Sequence, residues 1–336
     1  MMDPLPQPQD LVRLERLNAE EVATYVLPET FKLWGNERPY EQYVADLHEI
    51  ERSSFGRRSF SFCGVRDEHG NVMSCFKRYG REATWDGRRL HAVGIGAVFT
   101  LPGERRRGLA SLMLGASLDR ERQEGSDLAF LFSDVHPAFY ERLGFVALPS
   151  RSFTVRASSL QRGRATISTM EDSDIGGVRK CYDAGVARRP FALVRTPVIW
   201  DVIRMRERQD EISPAHRFAQ PVRLVVREGR TVRAYVKGWR QPRRDAYVLD
   251  EMGALEGYEE LLPTLLSAAI GDLGKVAGWL PPEPERGALP RGSVKRRANA
   301  VLMVAPLSRA AQALWQQHGP PIVHAASDPL WSTDHI

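Results

Sequence analysis

The sequence of 336 residues holds only three cysteines, Cys63, Cys75 and Cys181, and no two of them share a CxxC or metal-ligand spacing. A disulfide-stapled scaffold and a zinc ribbon are therefore excluded, no metal is expected, and reduced thiols in a cytoplasmic protein are the expected state. No run of ~18 apolar residues occurs, so no membrane span is expected. The opening MMDPLPQPQD lacks a basic segment followed by an apolar core, so no signal peptide is expected. Also missing are a GKS or GKT phosphate loop, an HExxH pair and a GxSxG elbow; the nearest approach, Gly115-Ala116-Ser117, continues into Leu118 and Asp119 in the middle of a helical stretch. Charge of one sign is scarce as well. A formal net charge of +5 suits anionic small ligands, but it is not the concentrated basic face of a nucleic-acid binder, and no nucleic-acid partner is expected. With 43% hydrophobic and 26% charged residues the chain is an ordinary globular protein, and its length points to two domains.

What is present centres on His91 to Phe145. The strand pattern His91–Thr100 leads into Leu101-Pro102-Gly103-Glu104-Arg105-Arg106-Arg107-Gly108, and then into a helical pattern with Leu109, Leu112, Met113 and Ala116 on the expected buried face. Gly125 stops that helix, Leu128–Phe132 reads as a strand covered on both faces, and Phe139–Phe145 forms an aromatic turn. Upstream, Asn18 and Glu21 read as a capping box, Tyr40–Glu49 as a helix, and Trp85-Asp86-Gly87 as a hairpin turn. After Ser158–Arg164, a linker by composition, the order restarts. A strand at Ala165–Met170, a helix carrying Val178 and Tyr182, a hairpin from Val222 to Trp239, a strand at Ala246–Leu255, a helix to Ile270 and strands at Lys275–Leu280 and Ala300–Val304 repeat the first series.

A strand feeding a glycine- and arginine-rich turn at a helix N-terminus gathers free N–H groups, a positive helix end and guanidinium charge, which is what a diphosphate needs. Arg105, Arg106, Arg107, Gly108, Leu109, Ala110 and Ser111 are the candidates for that cradle. The strand edge Ala97-Val98-Phe99-Thr100 can hydrogen-bond an extended ligand containing amides, such as pantetheine. Tyr140, with an ordinary phenol pKa of ~10, is in the right state at neutral pH to protonate a departing thiolate. Asp134 and His136, at the end of the strand Leu128–Ser133, are alternative bases for an ammonium acceptor, acting directly or through water.

These segments resemble the GNAT superfamily of N-acetyltransferases. Its R/Q-x-x-G-x-G/A turn matches Arg105 to Ala110, and its later strand and aromatic segment match Leu128–Ser133 and Phe139–Phe145. The resemblance implies an α/β fold of two tandem GNAT-like domains, 1–156 and 165–336, each a mixed, mainly antiparallel twisted sheet flanked by helices. It implies acetyl-CoA as donor, direct transfer to a primary amine of a small-molecule or polyamine-like acceptor, a strand N–H near Phe99 on the carbonyl oxygen, and Tyr140 as acid. The acyl-CoA-binding sensor without turnover is the alternative. An active first domain followed by a degenerate copy is similar to the Eis-like acetyltransferases, whose terminal carboxylate serves as base; Ile336 is the position so implied. That family's sterol-carrier-like third domain is not expected here, since few residues follow Ala300–Val304, so its polyamine or aminoglycoside activity is not implied.

In the second half, Glu256, Glu259 and Glu260 stand where the arginine turn would be, so no diphosphate is expected there. The tail Asp328–Ile336 carries large apolar residues. It is expected to dock, either against the acceptor pocket or on the second domain for stability alone. The resemblance admits a homo-oligomer.

Overall fold

The computed structural model describes residues 13–135, 137–161, 163–320 and 328–335. In chain order the strands are β1 (Glu15–Arg16), β2 (Phe60–Arg66), β3 (Val72–Trp85), β4 (Arg88–Thr100), β5 (Leu128–Ser133), β6 (Val146–Ala147), β7 (Arg151–Arg156) and β8 (Ile167–Thr169). They continue as β9 (Phe191–Val194), β10 (Gln220–Glu228), β11 (Thr231–Gln241), β12 (Ala246–Ala254), β13 (Lys275–Trp279), β14 (Ser293–Arg296) and β15 (Val301–Pro306). Two sheets result. The first runs β1-β2-β3-β4-β5-β15-β6 with β9 alongside β3, and the second β14-β7-β13-β12-β11-β10-β8. Among the described residues only β4–β5 and β12–β13 are parallel, each joined by a crossover helix, Leu109–Gln123 in one half and Leu261–Ile270 in the other. This is the α/β fold of two like halves that the sequence suggests.

Local chemistry explains the elements. Asp86 and Gly87 both take positive φ, 47° and 75°, as a two-residue hairpin turn with the right twist requires. Asn18 accepts from the Glu21 N–H at 2.9 Å while Glu21 accepts from the Asn18 N–H at 2.8 Å, closing the capping box. On the helix Leu109–Gln123 the buried stripe differs from expectation. Leu109 and Met113 are covered together with Leu114, Ser117, Leu118 and Glu121, whereas Leu112 and Ala116 are only half-buried. The helix lies flat enough on the sheet to cover polar positions, and Glu121 tolerates this because Arg78 holds it bidentately at 2.5 and 2.9 Å and Ser126 donates at 2.6 Å.

The boundary expected at 156 and 165 does not divide the sheets. The last strand of the first half, β7, pairs with β13 of the second, and β15 from the second half pairs with β5 from Val301–Ser133 to Pro306–Leu128. Residues 187–221, where the sequence suggested no element, supply β9, which joins the far end of β3, and the helix Pro197–Glu211. Each sheet is thus completed by the other half, and a half alone would leave the backbone edge of β5 or β13 open.

The junction is held by a buried ionic cluster. Arg195 meets Glu251 at 2.5 Å and Asp334 at 2.9 Å with every partner fully buried, and Tyr235 donates to Glu251 at 2.6 Å. Burial alone would raise the Glu251 carboxyl, but Arg195 and Lys237 outweigh it and hold it down at about 2. Asp334 belongs to the tail, which also buries Trp331 and ties Asp328 to Arg151 at 3.0 Å. The described part of the tail, residues 328–335, is therefore docked.

Candidate active site

The site begins with a fault in the first sheet. β4 and β5 pair from Ala92–Leu128 to Ile95–Leu131 and no further. Just beyond, β4 carries an extra residue: Cys75 faces Phe99 and Lys77 faces Gly96, so Phe76 opposes both Ala97 and Val98. Ala97 sits at φ 45°, uncommon for a residue with a Cβ. This bulge bends β4 away from β5 and leaves the edge from Gly96 to Thr100 unpaired on the β5 side among the described residues. Gly96 has no room for a side chain, since a Cβ would meet the Tyr79 ring at 2.8 Å.

At its far end the edge meets the turn. Gly108 is the N-cap of the helix Leu109–Gln123, at φ 78° with no side-chain cap, so the N–H groups of Leu109, Ala110 and Ser111 open the helix unsatisfied. A Cβ placed on Gly108 would touch nothing within 4 Å, so the fold itself does not need the space left there. Arg105 folds back, donating from Nε to the Thr100 carbonyl at 3.1 Å with its guanidinium 5.7 Å from the Phe99 ring. Arg107 pairs with Glu104. Arg106 has no partner among the described residues.

Tyr140, on the short helix Ala138–Glu141, is buried on the face of the sheet that the helix Leu109–Gln123 covers, edge-on to Phe139 at 4.8 Å and Phe145 at 6.1 Å. Its hydroxyl has no hydrogen bond among the described residues. Burial, with the Asp134 charge adding, pushes the phenol up to about 12, so it is protonated throughout the neutral range. Phe99 buries its ring among Leu17, Val22 and Val26 and accepts at its carbonyl from Ser74 Oγ at 2.9 Å. Asp134 accepts from the Ala300 N–H at 2.8 Å and faces the cavity on the sheet's other side. His136 and Ile336 lie outside the described residues.

That cavity, about 580 Å³, is walled by β3, β4 and β5, by the helices Tyr40–Arg52 and Pro197–Glu211, by β11 and β12, and by Ser332–His335 of the tail. His335 lies between Phe132 at 4.8 Å and Trp279 at 5.8 Å, tilted to both rings. Although its ring opens to the cavity, desolvation and nearby Arg206 push it down to about 4, so it is neutral at pH 7. Burial pushes Asp250 up to about 7 despite the opposing charge of Lys237. Lys77, Arg81, Arg206 and Asp250 carry no local motif, and sequence reasoning missed all four. The one available signal was alternation, which puts Lys77, Tyr79 and Arg81 on one face of β3.

The equivalent place in the second half differs. Before the helix Leu261–Ile270, Glu259 accepts from the Gly257 N–H at 2.9 Å and pairs with Arg188, so a carboxylate already fills the turn.

Residues 29–147 match the family model described as an acetyltransferase (GNAT) domain. Among solved structures, a conserved protein of unknown function from Enterococcus faecalis, titled a probable N-acyltransferase, is 14% identical over 88% of this chain and 72% of its own, with a TM-score of 0.69. A GCN5-related N-acetyltransferase from Anabaena variabilis is 15% identical over 89% and 74%, with a TM-score of 0.67. Eis1 from Mycobacterium abscessus is 14% identical over 90% and 76%, with a TM-score of 0.62. At these identities the likeness is one of fold. No curated protein matches by sequence. The chain carries a GNAT acetyltransferase domain at residues 29–147, built into a two-sheet α/β fold that it shares with these proteins.

Proposed function

We propose that the protein is an N-acetyltransferase that moves the acetyl group of acetyl-CoA directly to a primary amine of a small molecule. The observation that carries this is the unpaired edge of β4, which runs from Ala97 in the cavity wall to Thr100, where Arg105 ties it to the bare helix N-terminus. Coenzyme A fits that path in kind: a diphosphate suits the free N–H groups of Leu109, Ala110 and Ser111, with Arg105, Arg106 and Arg107 supplying positive charge, and extended amides suit Ala97 to Thr100.

When bound, acetyl-CoA supplies an acetyl group activated as a thioester. In this reading a backbone N–H of the free β4 edge next to Phe99, whose own N–H faces Cys75 of β3, orients the acetyl oxygen, and Tyr140 holds a proton for the departing sulfur from the face opposite the cavity. Asp134, at the cavity mouth of β5, takes the proton of the amine directly or through water. Binding and turnover are tested apart. Calorimetry with acetyl-CoA should give a complex that weakens at least tenfold when Arg105 and Arg107 are both changed to Ala. Thiol release with a panel of amines should be amine-dependent. Tight acetyl-CoA binding with no amine-dependent release would identify the sensor instead.

A further inference from the structure

The cavity holds cations that the protein leaves unpaired. Arg81 is 6% exposed, yet among the described residues its Nε and Nη2 have no hydrogen-bond partner and it makes no direct ion pair; the Asp334 charge, already held by Arg195, acts on it only from farther off. Elsewhere the fold does not treat buried arginines this way: Arg195 has Glu251 and Asp334, and Arg189 has Glu285 at 2.9 Å. Lys77, two pleats along β3 on the same face, forms no ion pair among the described residues and lies 5.5 Å from the Phe62 ring, with the Glu51 charge acting on it only from farther off. Arg206 reaches in from the helix Pro197–Glu211 with no partner among the described residues.

The carboxylates of the cavity are arranged in the opposite sense. Asp46 and Asp210 share Arg38 at 3.1 and 2.8 Å, Glu207 holds Lys237 at 2.8 Å, and Asp334 holds Arg195. Asp134 and Asp250 remain, the first hydrogen-bonded to a backbone N–H, the second with its acidity suppressed by burial. Free charge facing a ligand is thus positive on the β3 and Arg206 side. Leaving a cation buried and uncompensated is costly, and a counter-anion removes that cost.

From the N-acetyltransferase reading, on which this rests, we infer that the acceptor is an amine carrying an anionic group, a carboxylate or a phosphate, seated against Lys77, Arg81 and Arg206. A polycationic acceptor would meet three like charges there. The diphosphate of coenzyme A is not the counter-anion, because its own candidate site lies at Gly108–Ser111, beyond the far end of the β4 edge. The depression of Lys77 to about 8, caused by burial and then by Arg206, is what an unfilled anion site produces, and an occupant would reverse it.

The test uses the full chain, acetyl-CoA and amines matched in length: 5-aminovalerate against pentylamine and cadaverine, and aminoethyl phosphate against ethanolamine. Thiol release should favour an anionic member over its partners by at least tenfold in kcat/KM, and the pair with the larger ratio tells carboxylate from phosphate. Lys77→Met and Arg206→Gln, at half-buried positions, should each shrink that preference by about tenfold or more. Equal or better turnover of cadaverine overturns the anionic acceptor while leaving acetyl transfer intact. A drop in acetyl-CoA affinity in either variant, with the preference unchanged, would likewise overturn it. If no amine releases thiol, acetyl transfer fails. The anion site is then judged by thermal shift, where stabilisation by 5-aminovalerate or aminoethyl phosphate but not cadaverine supports it, and no such difference refutes it.

Discussion

Removing a single oxygen at Tyr140 tests the proposed chemistry most directly. Tyr140→Phe keeps the ring contacts with Phe139 and Phe145 and deletes a hydroxyl with no partner among the described residues. Stability should therefore change by no more than about 0.5 kcal/mol, because no hydrogen bond is lost. The rate is another matter. With the phenol pushed up to about 12, its proton is far from free at pH 8, and the departing thiolate, whose thiol has an ordinary pKa of ~8.5, is a much weaker base than the phenolate. Complete transfer to the sulfur is uphill, so Tyr140 works chiefly by holding a hydrogen bond to the charge as it develops. Removing one such donor costs about 10²–10³ in rate, and the lower end is expected here. Pre-steady-state thiol release with a fixed amine, beside calorimetry with acetyl-CoA, should show a loss of about a hundredfold in kcat with affinity unchanged. The wild-type pH profile should show no alkaline limb from Tyr140 below pH 10. A rate within threefold of wild type, or an alkaline limb near pH 9 that vanishes in Tyr140→Phe, would refute the reasoning.

Three further outcomes follow from other parts of the fold. Gly108→Ala must hold φ 78° with a Cβ, costing about 1 kcal/mol in stability; since that Cβ meets no protein atom, any loss of acetyl-CoA affinity, expected to be at least tenfold by calorimetry, reports the ligand's approach. Glu251, held at about 2 against an ordinary 4.5, adds stability that is whole above pH 4.5 and disappears as pH falls through 2, so in urea titrations the wild-type advantage over Glu251→Gln should narrow across that window. Burial pushes the Cys75 and Cys181 thiols up to about 12 and raises Cys63 as well, so none should react with a thiol reagent at pH 8 until urea unfolds the chain; rapid native labelling would contradict their burial.

The glycine turn and the helix after it, where the donor is proposed to sit, were legible because their signals are local. Gly108, the arginines before it and the helix after it lie within one turn of each other in sequence, and the Asp86-Gly87 hairpin and the Asn18–Glu21 box are readable from adjacent residues. The helix at Leu109 was right in place and wrong in stripe, because the burial of Glu121 depends on Arg78, a residue 43 positions earlier that holds its carboxylate. The helix Pro197–Glu211 went unread, and with it Arg206. The exchange of β7 and β15 left no mark in the sequence either, since an apolar strand pattern does not say which sheet it joins.

That exchange explains why the acceptor side resisted reading. A cavity made within one half would be lined by residues whose strand alternation and spacing can be followed. This one is closed by β3 to β5 from one half, by β11, β12 and the helix Pro197–Glu211 from the other, and by the tail that Arg195 secures through Asp334. Its charge is set by which ion pairs form across the junction. Arg38 takes both Asp46 and Asp210, Lys237 takes Glu207, and Arg195 takes Asp334, so the acidic residues that would otherwise recommend a cationic acceptor are already spent on the protein. Counted by composition the lining looks mixed. Paired off in space, what remains on the β3 and Arg206 side is positive, and the proposed preference for an anionic acceptor rests on that remainder.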